Sequence, residues 1–472
     1  MNFFLNKIGE DKFEIKSIEG KSKKEKYVKE TKSIIEKKEY EKAKKEYEKA
    51  KENYEKYEKK KEKEKIIMEE QKKKQENYEK EKEIEIEKEI KEMQNIGCGA
   101  DFYFIFNNIN PLKKELLLGG DNKFGQVGVT PLLKSNKILI RNNILENYNF
   151  LNDSKIKQIA IGKDHILILQ KNNIIYGMGN NTYGQSAKKD GIQNFIYIPE
   201  RNEDILSDIN DTLIVDIKNI FCGNGFSLIM DSNYNVYCYG KKIRRIIKGD
   251  IIKGEHFINK IRKLKIDDDD DMEKKKFFIS PISHYFFVLT KNGLFTFSVN
   301  NKIPKWNVEN VNFKIKDVFC GKYHNFILSE ENDLYGFGQN DNGELGLGYY
   351  SIKTEIFPKK IDFFNKRGEK IKKITLCLKS SIFLTEEGKV YSVGDNKFGE
   401  LGHGDQINTN VIKEIEFFKN KKIVNICSGR RHTFAITDKN EIYSWGNNDK
   451  NQLGYKTYDK FSHTPFNIFN IK

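Results

Sequence analysis

The sequence predicts an all-β fold, a seven-bladed β-propeller, carried behind a long charged α-helix. Three observations predict it. First, one segment recurs seven times between about residues 96 and 472, with a mean period near 54 residues. Second, charge is segregated: residues 21–93 hold 26 Lys and 22 Glu with no Gly and no Pro, and the aromatic, glycine-rich and β-branched content follows. Third, no single repeat could bury both faces of its sheet, so the copies must stack.

With 472 residues the chain could hold two or three average domains, or one large repeat domain with an appendage. The expected division is a short segment over 1–20, a Lys/Glu-rich helix over 21–95, and the propeller over 96–472 with an insertion near 241–276. The formal net charge of +15 would suit acidic partners, nucleic acid included. However, Lys, Asn and Ile are abundant even in loops, which reads as a compositional bias, and no nucleic-acid motif supports that partner. The apolar stretch Phe3-Phe4-Leu5 is too short for a signal peptide, and no run is long enough to span a bilayer, so no membrane role is expected.

The charged segment is rich in good helix formers, with many Glu three or four residues from a Lys. As a continuous helix it would run about 110 Å at about 1.5 Å per residue. Tyr40, Ala43, Tyr47, Ala50, Tyr54 and Tyr57 fall along one heptad seam, a candidate dimerisation element. The competing expectation is an isolated, solvated helix, because the seam is short and lacks Leu and Ile.

In each repeat a short strand ends in a small residue, two residues follow, and then often His. An apolar run and an aromatic strand ending in Gly come next, and a loop Asx-Asn-x-x-Gly-Gln/Glu-Leu-Gly closes the motif. The copy at 317–348 has Gly321, His324, Gly338 and Gly343; that at 425–454 has Gly429, His432 and Gly446; the second repeat has His165, Gly179 and Gly184. Two loops share Asp-Asn-Lys-Phe-Gly, giving Gly120 with Gly125 and Gly394 with Gly399. The strand ends fall at 120, 179, 240, 298, 338, 394 and 446. Repeats three and four lack the loop glycines. Glycine supplies the positive φ that such turns need, and Asn451, standing where other loops have Gly, tolerates the same region.

This pattern resembles the regulator-of-chromosome-condensation repeat. The resemblance implies seven four-stranded blades and a ring closed by joining both chain ends in one blade, for which 465–471 is a suitable strand. Five of the six cysteines (98, 222, 320, 377 and 427) are expected at one point of the repeat as small apolar fillers. Reduced cysteines of that kind fit a cytoplasmic or nuclear compartment.

His165, His284, His324 and His432 are expected at one equivalent position per blade, each satisfying a local backbone group. Because the ring separates them, no metal site is expected. In relatives the two residues before each His lie on one rim, which in a photoreceptor of the family forms a partner interface. Here they are Lys163, Asp164, Lys322, Tyr323, Arg430 and Arg431, and Tyr and Arg are residue types that anchor interfaces. Light sensing in that photoreceptor needs a tryptophan cluster, whereas this chain has only Trp306 and Trp445. The basic run 241–245 and the acidic run 267–271 are expected to be solvated insertions, the competing readings being a nuclear-import signal or anion contact for the first and a contact with a basic partner for the second.

No phosphate-binding loop, His-Glu-x-x-His or Gly-x-Ser-x-Gly occurs, so neither catalysis nor a cofactor is expected. The resemblance implies a protein-interaction scaffold. It leaves two alternatives: guanine-nucleotide exchange on a Ran-type GTPase, which the family's founding member performs through a wedge in its third blade, and chromatin or DNA docking.

Overall fold

A computed structural model describes residues 94–107, 115–128, 142–143, 156–186, 195–201, 216–241, 244–247, 250–251, 262–263, 276–290, 293–298, 311–455 and 459–468, and scattered positions between 37 and 69. Every one of those scattered positions is helical and exposed, and Lys56 pairs with Glu52 one turn away at 4.0 Å. Most of the expected long helix, with five of its six seam residues, lies outside the described residues; Tyr57 is exposed.

Seven antiparallel sheets follow. Blade one comprises Gln94–Cys98, Phe102–Asn107, Glu115–Gly120 and Asn142–Asn143. Blade two comprises Ile156–Ile161, His165–Gln170, Ile175–Asn180 and Phe195–Arg201. Blade five runs Ile315–Cys320, His324–Ser329, Leu334–Asn340 and Ser351–Ile361; blade six runs Ile371–Leu376, Ser380–Thr385, Val390–Gly394 and Thr409–Glu414. Blade seven runs Ile423–Ser428, His432–Thr437, Ile442–Asn447 and Phe461–Asn467.

Blades three and four share the expected insertion. Blade three is Ile217–Cys222, Phe226–Asp231 and Val236–Gly240, completed by Arg262–Lys263. Blade four is Lys276–Ile279, Tyr285–Thr290 and Gly293–Ser298, with Arg244–Ile247 and Asp250–Ile251 on its outer side. Arg244 and Arg245 thus belong to a paired strand rather than to a free basic run. The acidic run 267–271 and Trp306 lie outside the described residues.

Seven buried apolar clusters hold the sheets, one at each junction. Phe104 and Ile166 belong to the junction of blades one and two, Leu167 and Ile229 to that of two and three, and Phe226 and Phe286 to that of three and four. Phe287 and Phe337 join four to five, Phe326 and Phe383 five to six, and Ile382 and Trp445 six to seven. The seventh cluster packs Tyr103 and Ile105 of blade one on Phe434 and Ile436 of blade seven, which closes the ring.

The closure differs from expectation. The strand Phe461–Asn467 pairs inside blade seven, and Gln94–Cys98 is the inner strand of blade one, so no blade contains both ends of the ring. Each terminal blade already has four strands from contiguous chain, which leaves no vacancy for an exchanged one. Apolar packing, the Arg430–Asp101 ion pair and the bond from the Arg430 N–H to the Ala100 carbonyl hold this seam.

Candidate functional site

The rim is built by the loops between the first and second strands of each blade. In six blades the strand-ending glycine has positive φ, from 97° at Gly179 to 115° at Gly394. Gly338 shows why: a Cβ there would lie 2.4 Å from the Tyr323 carbonyl oxygen. The next residue then donates its N–H to the rim residue of the same blade, as Gln339 does to Tyr323 at 2.9 Å and Asn447 to Arg431 at 2.7 Å. Neighbouring rim loops are joined in turn: Leu378 N–H donates to Arg430, Arg430 to Ala100, Ala100 to Lys163 and Lys163 to Gly223.

The loop asparagines and Gln/Glu fix the following turn. Asn340, Asn396 and Asn448 each accept an N–H five residues on, at 2.9–3.0 Å. Glu344, Glu400 and Gln452 each accept an N–H two residues back, at 2.7–2.8 Å. Burial pushes the Glu344 and Glu400 carboxyls up to about 7. Asn451 occupies its glycine position with φ 57°.

The histidines do not satisfy local backbone groups as expected: Nδ1 of His165 and of His324, and both ring nitrogens of His432, have no hydrogen-bond partner among the described residues. His165 Nε2 lies 2.8 Å from Ser227 Oγ of the next blade, and His324 Nε2 lies 2.9 Å from Ser381 Oγ. Each serine hydroxyl already donates to a loop carbonyl, Gln185 or Glu344, so the imidazole nitrogen must donate to the serine. Burial pushes these imidazoles down to about 4 and 3, which keeps them neutral. They rivet adjacent blades.

His284 departs from expectation. The residue pairing with strand end Ser298 is Tyr285, whereas His165, His324 and His432 pair with Gly179, Gly338 and Gly446. His284 therefore stands one position earlier, among the rim residues. Ser298 Oγ donates to the His284 carbonyl at 3.2 Å.

The cysteines depart as well. Cys98, Cys222 and Cys320 end their inner strands next to Gly99, Gly223 and Gly321. Cys377 takes the glycine's own place, donating its N–H to Ser380, and Cys427 falls one residue earlier, before Ser428.

Of the expected rim residues, Lys163, Lys322, Tyr323, Arg430 and Arg431 are partly exposed. The Lys322 ammonium lies 4.7 Å from the Tyr323 ring centroid, and the Arg431 guanidinium stacks 4.4 Å over Phe398. Two of the six also make structural contacts. Asp164 is only 8% exposed and accepts from Asn180 Nδ2 at 3.2 Å, and Arg430 pairs with Asp101 at 3.0 Å across the closing seam.

Sequence reasoning placed Lys241 only in a basic run expected to be solvated, and did not single out Tyr183 or Asn224. Lys241 lies 4.7 Å over the exposed Tyr183 ring, and Asn224 Nδ2 lies 3.3 Å from His284 Nε2. Burial, followed by the charges of Lys241, Lys322 and Lys163, pushes the His284 imidazole down to about 4. The charges of three ammonium groups, from blades two, three and five, thus act on His284. The signal for Lys241 was available, because it directly follows the strand-ending Gly240.

Comparison with known proteins comes to the same repeats. Sequence profiles of the regulator of chromosome condensation (RCC1) repeat match residues 331–381 and 387–436, and also 156–185, 315–344 and 423–452. The chain is 33% identical over 141 residues to the ultraviolet-B receptor UVR8 of Arabidopsis thaliana, covering 30% of this chain and 31% of that protein. It is 36% identical over 154 residues to the mitochondrial RCC1 domain-containing protein RUG3 of the same plant, covering 33% of this chain and 34% of that one. These alignments thus span about a third of each relative's length. Among solved structures, Prp20p of Saccharomyces cerevisiae superposes with a TM-score of 0.62 at 16% identity, covering 81% of this chain and 89% of that one. That structure was reported together with its binding to Gsp1p and histones.

Proposed function

Because this chain belongs to the regulator of chromosome condensation repeat family, we propose that it is a non-enzymatic interaction scaffold whose rim grips a protein partner. The observation that carries the reading is a set of cationic rim side chains: Lys163, Lys241 and Lys322 all act electrostatically on His284, Lys241 lies over Tyr183, Lys322 lies over Tyr323, and Arg431 stacks on Phe398 elsewhere on the rim. Like charges gathered on one face cost energy in the free protein, and an acidic partner surface relieves that cost. The Tyr and Arg side chains add the anchoring area typical of binding centres.

Affinity capture tests it. The full chain is compared with a Lys322→Glu/Arg431→Glu variant and with a Glu386→Lys/Glu387→Lys control in the turn between the second and third strands of blade six. A partner held by wild type and control, and lost by the rim variant, is the expected result. Equal capture by all three would overturn the reading.

A second reading is guanine-nucleotide exchange on a Ran-type GTPase, favoured by the likeness to Prp20p and its binding to Gsp1p. Against it, blade three has no glycine loop after Gly240, and the chain passes instead to the edge of blade four. Exchange requires tighter binding to the empty GTPase than to the loaded one. Release of a fluorescent nucleotide at catalytic amounts of this protein would select this reading over a plain scaffold.

A further inference from the structure

The seam between blades one and seven carries a feature that the scaffold reading does not use. Cys98 Sγ, on the inner strand of blade one, lies 2.7 Å from Cys427 Sγ, on the inner strand of blade seven, although 329 residues separate them in sequence. Both are free thiols, 3% and 9% exposed. They meet at the one junction where the chain is discontinuous, and no exchanged strand spans it. Around them are the closing cluster of Tyr103 and Phe434, the Arg430–Asp101 ion pair and the Arg430–Ala100 backbone bond.

We propose that Cys98 and Cys427 form a reversible disulfide that latches the ring, with hydrogen peroxide as the oxidant. One thiol attacks the peroxide, whose O–O bond breaks, and a sulfenic acid and water form. The second thiol then displaces the sulfenic oxygen as a second water, leaving the S–S bond. The two sulfurs together give up two electrons, which the peroxide takes, and both thiol protons leave in the water molecules. A dithiol reductant restores the pair by exchange.

The geometry supports this pairing over others. The sulfurs are already in contact, and a bond of about 2.05 Å needs only a small further approach. Lys373, whose ammonium donates to Asn425 Oδ1 at 2.8 Å, acts electrostatically on Cys98. Burial and the Cys427 contact push the Cys98 thiol well up, and the Lys373 charge opposes them. Latching is therefore slow at neutral pH and accelerates as pH rises, because the thiolate is the attacking form.

The consequence is mechanical. A cross-link enclosing so long a loop restricts the unfolded chain strongly and adds a covalent bond to the seam where the ring closes. It also fixes Arg430 and Arg431 of blade seven relative to the rim of blade one. The latch itself does not depend on the partner reading above.

The test uses the full chain, reduced and then treated with hydrogen peroxide. The expected results are a mass loss of about 2 Da, one peptide pair joined through Cys98 and Cys427, and a Tm raised by roughly 5 °C or more. Dithiothreitol should reverse all three. Cys98→Ser and Cys427→Ser should each abolish the cross-link, and Cys377→Ser should keep it. The proposal is overturned if both thiols of the treated wild-type chain still alkylate after unfolding, if the bond joins another cysteine, or if the cross-linked chain melts no higher than the reduced one.

Discussion

At Glu344 and Glu400 a loop position filled by Gln in blades one, two and seven carries an ionisable group, with the backbone N–H bond unchanged in kind. Both carboxyls are almost fully buried, and Glu344 Oε1 has no hydrogen-bond partner. Their pKa rises from an ordinary 4.5 to about 7, so between those values the folded state holds protons that the unfolded chain has shed. The stability they contribute is therefore full below about pH 4.5 and is lost as pH rises through about 7. Replacing both by Gln should stabilise the protein by about 1–3 kcal/mol at pH 8 and leave it nearly unchanged at pH 4.5, measured by urea unfolding. His165 and His324 act in the opposite sense. Burial lowers them from 6.5 to about 4 and 3, so the folded state resists protonation and loses stability as pH falls below 6.5.

The element that repeats most faithfully is the turn after the third strand. Its asparagine carbonyl oxygen accepts a buried N–H, and in blade six Asn396 Nδ2 also donates to the Asp405 backbone and carboxylate. Asn396→Ala would leave the Leu401 N–H buried without a partner, at a cost of about 1–3 kcal/mol. Thermal unfolding of that variant checks it, and Asn451→Gly should cost nothing because its backbone already sits where glycine is at ease. The turns were legible in the sequence because their chemistry is local. The register of blade four was not, since Ser298 replaces the glycine from which the His position is counted, and only strand pairing shows that Tyr285, not His284, fills it.

At the scale of the ring, the closing junction is packed by a buried apolar cluster like those at the junctions where the chain is continuous, so breaking the closing cluster should resemble breaking an internal one. Phe434, at the closure, and Phe326, between blades five and six, are both fully buried. Each Phe→Ala substitution should cost about 3–5 kcal/mol with similar urea midpoints. A much milder effect at Phe434 would mean that the seam contributes little to the ring's stability.

The sequence by itself determined the blade count, the strand-ending glycines, the loop chemistry and the mostly β character, because each is written in residues a few positions apart. Tertiary structure decided what distant segments do to one another: that Asp164 and Arg430 make structural contacts, that Lys241 and His284 join the rim, and that each terminal blade is complete without strand exchange. It also decided that Cys98 meets Cys427. No local rule encodes that meeting, because the two residues become neighbours only when the seventh blade packs against the first.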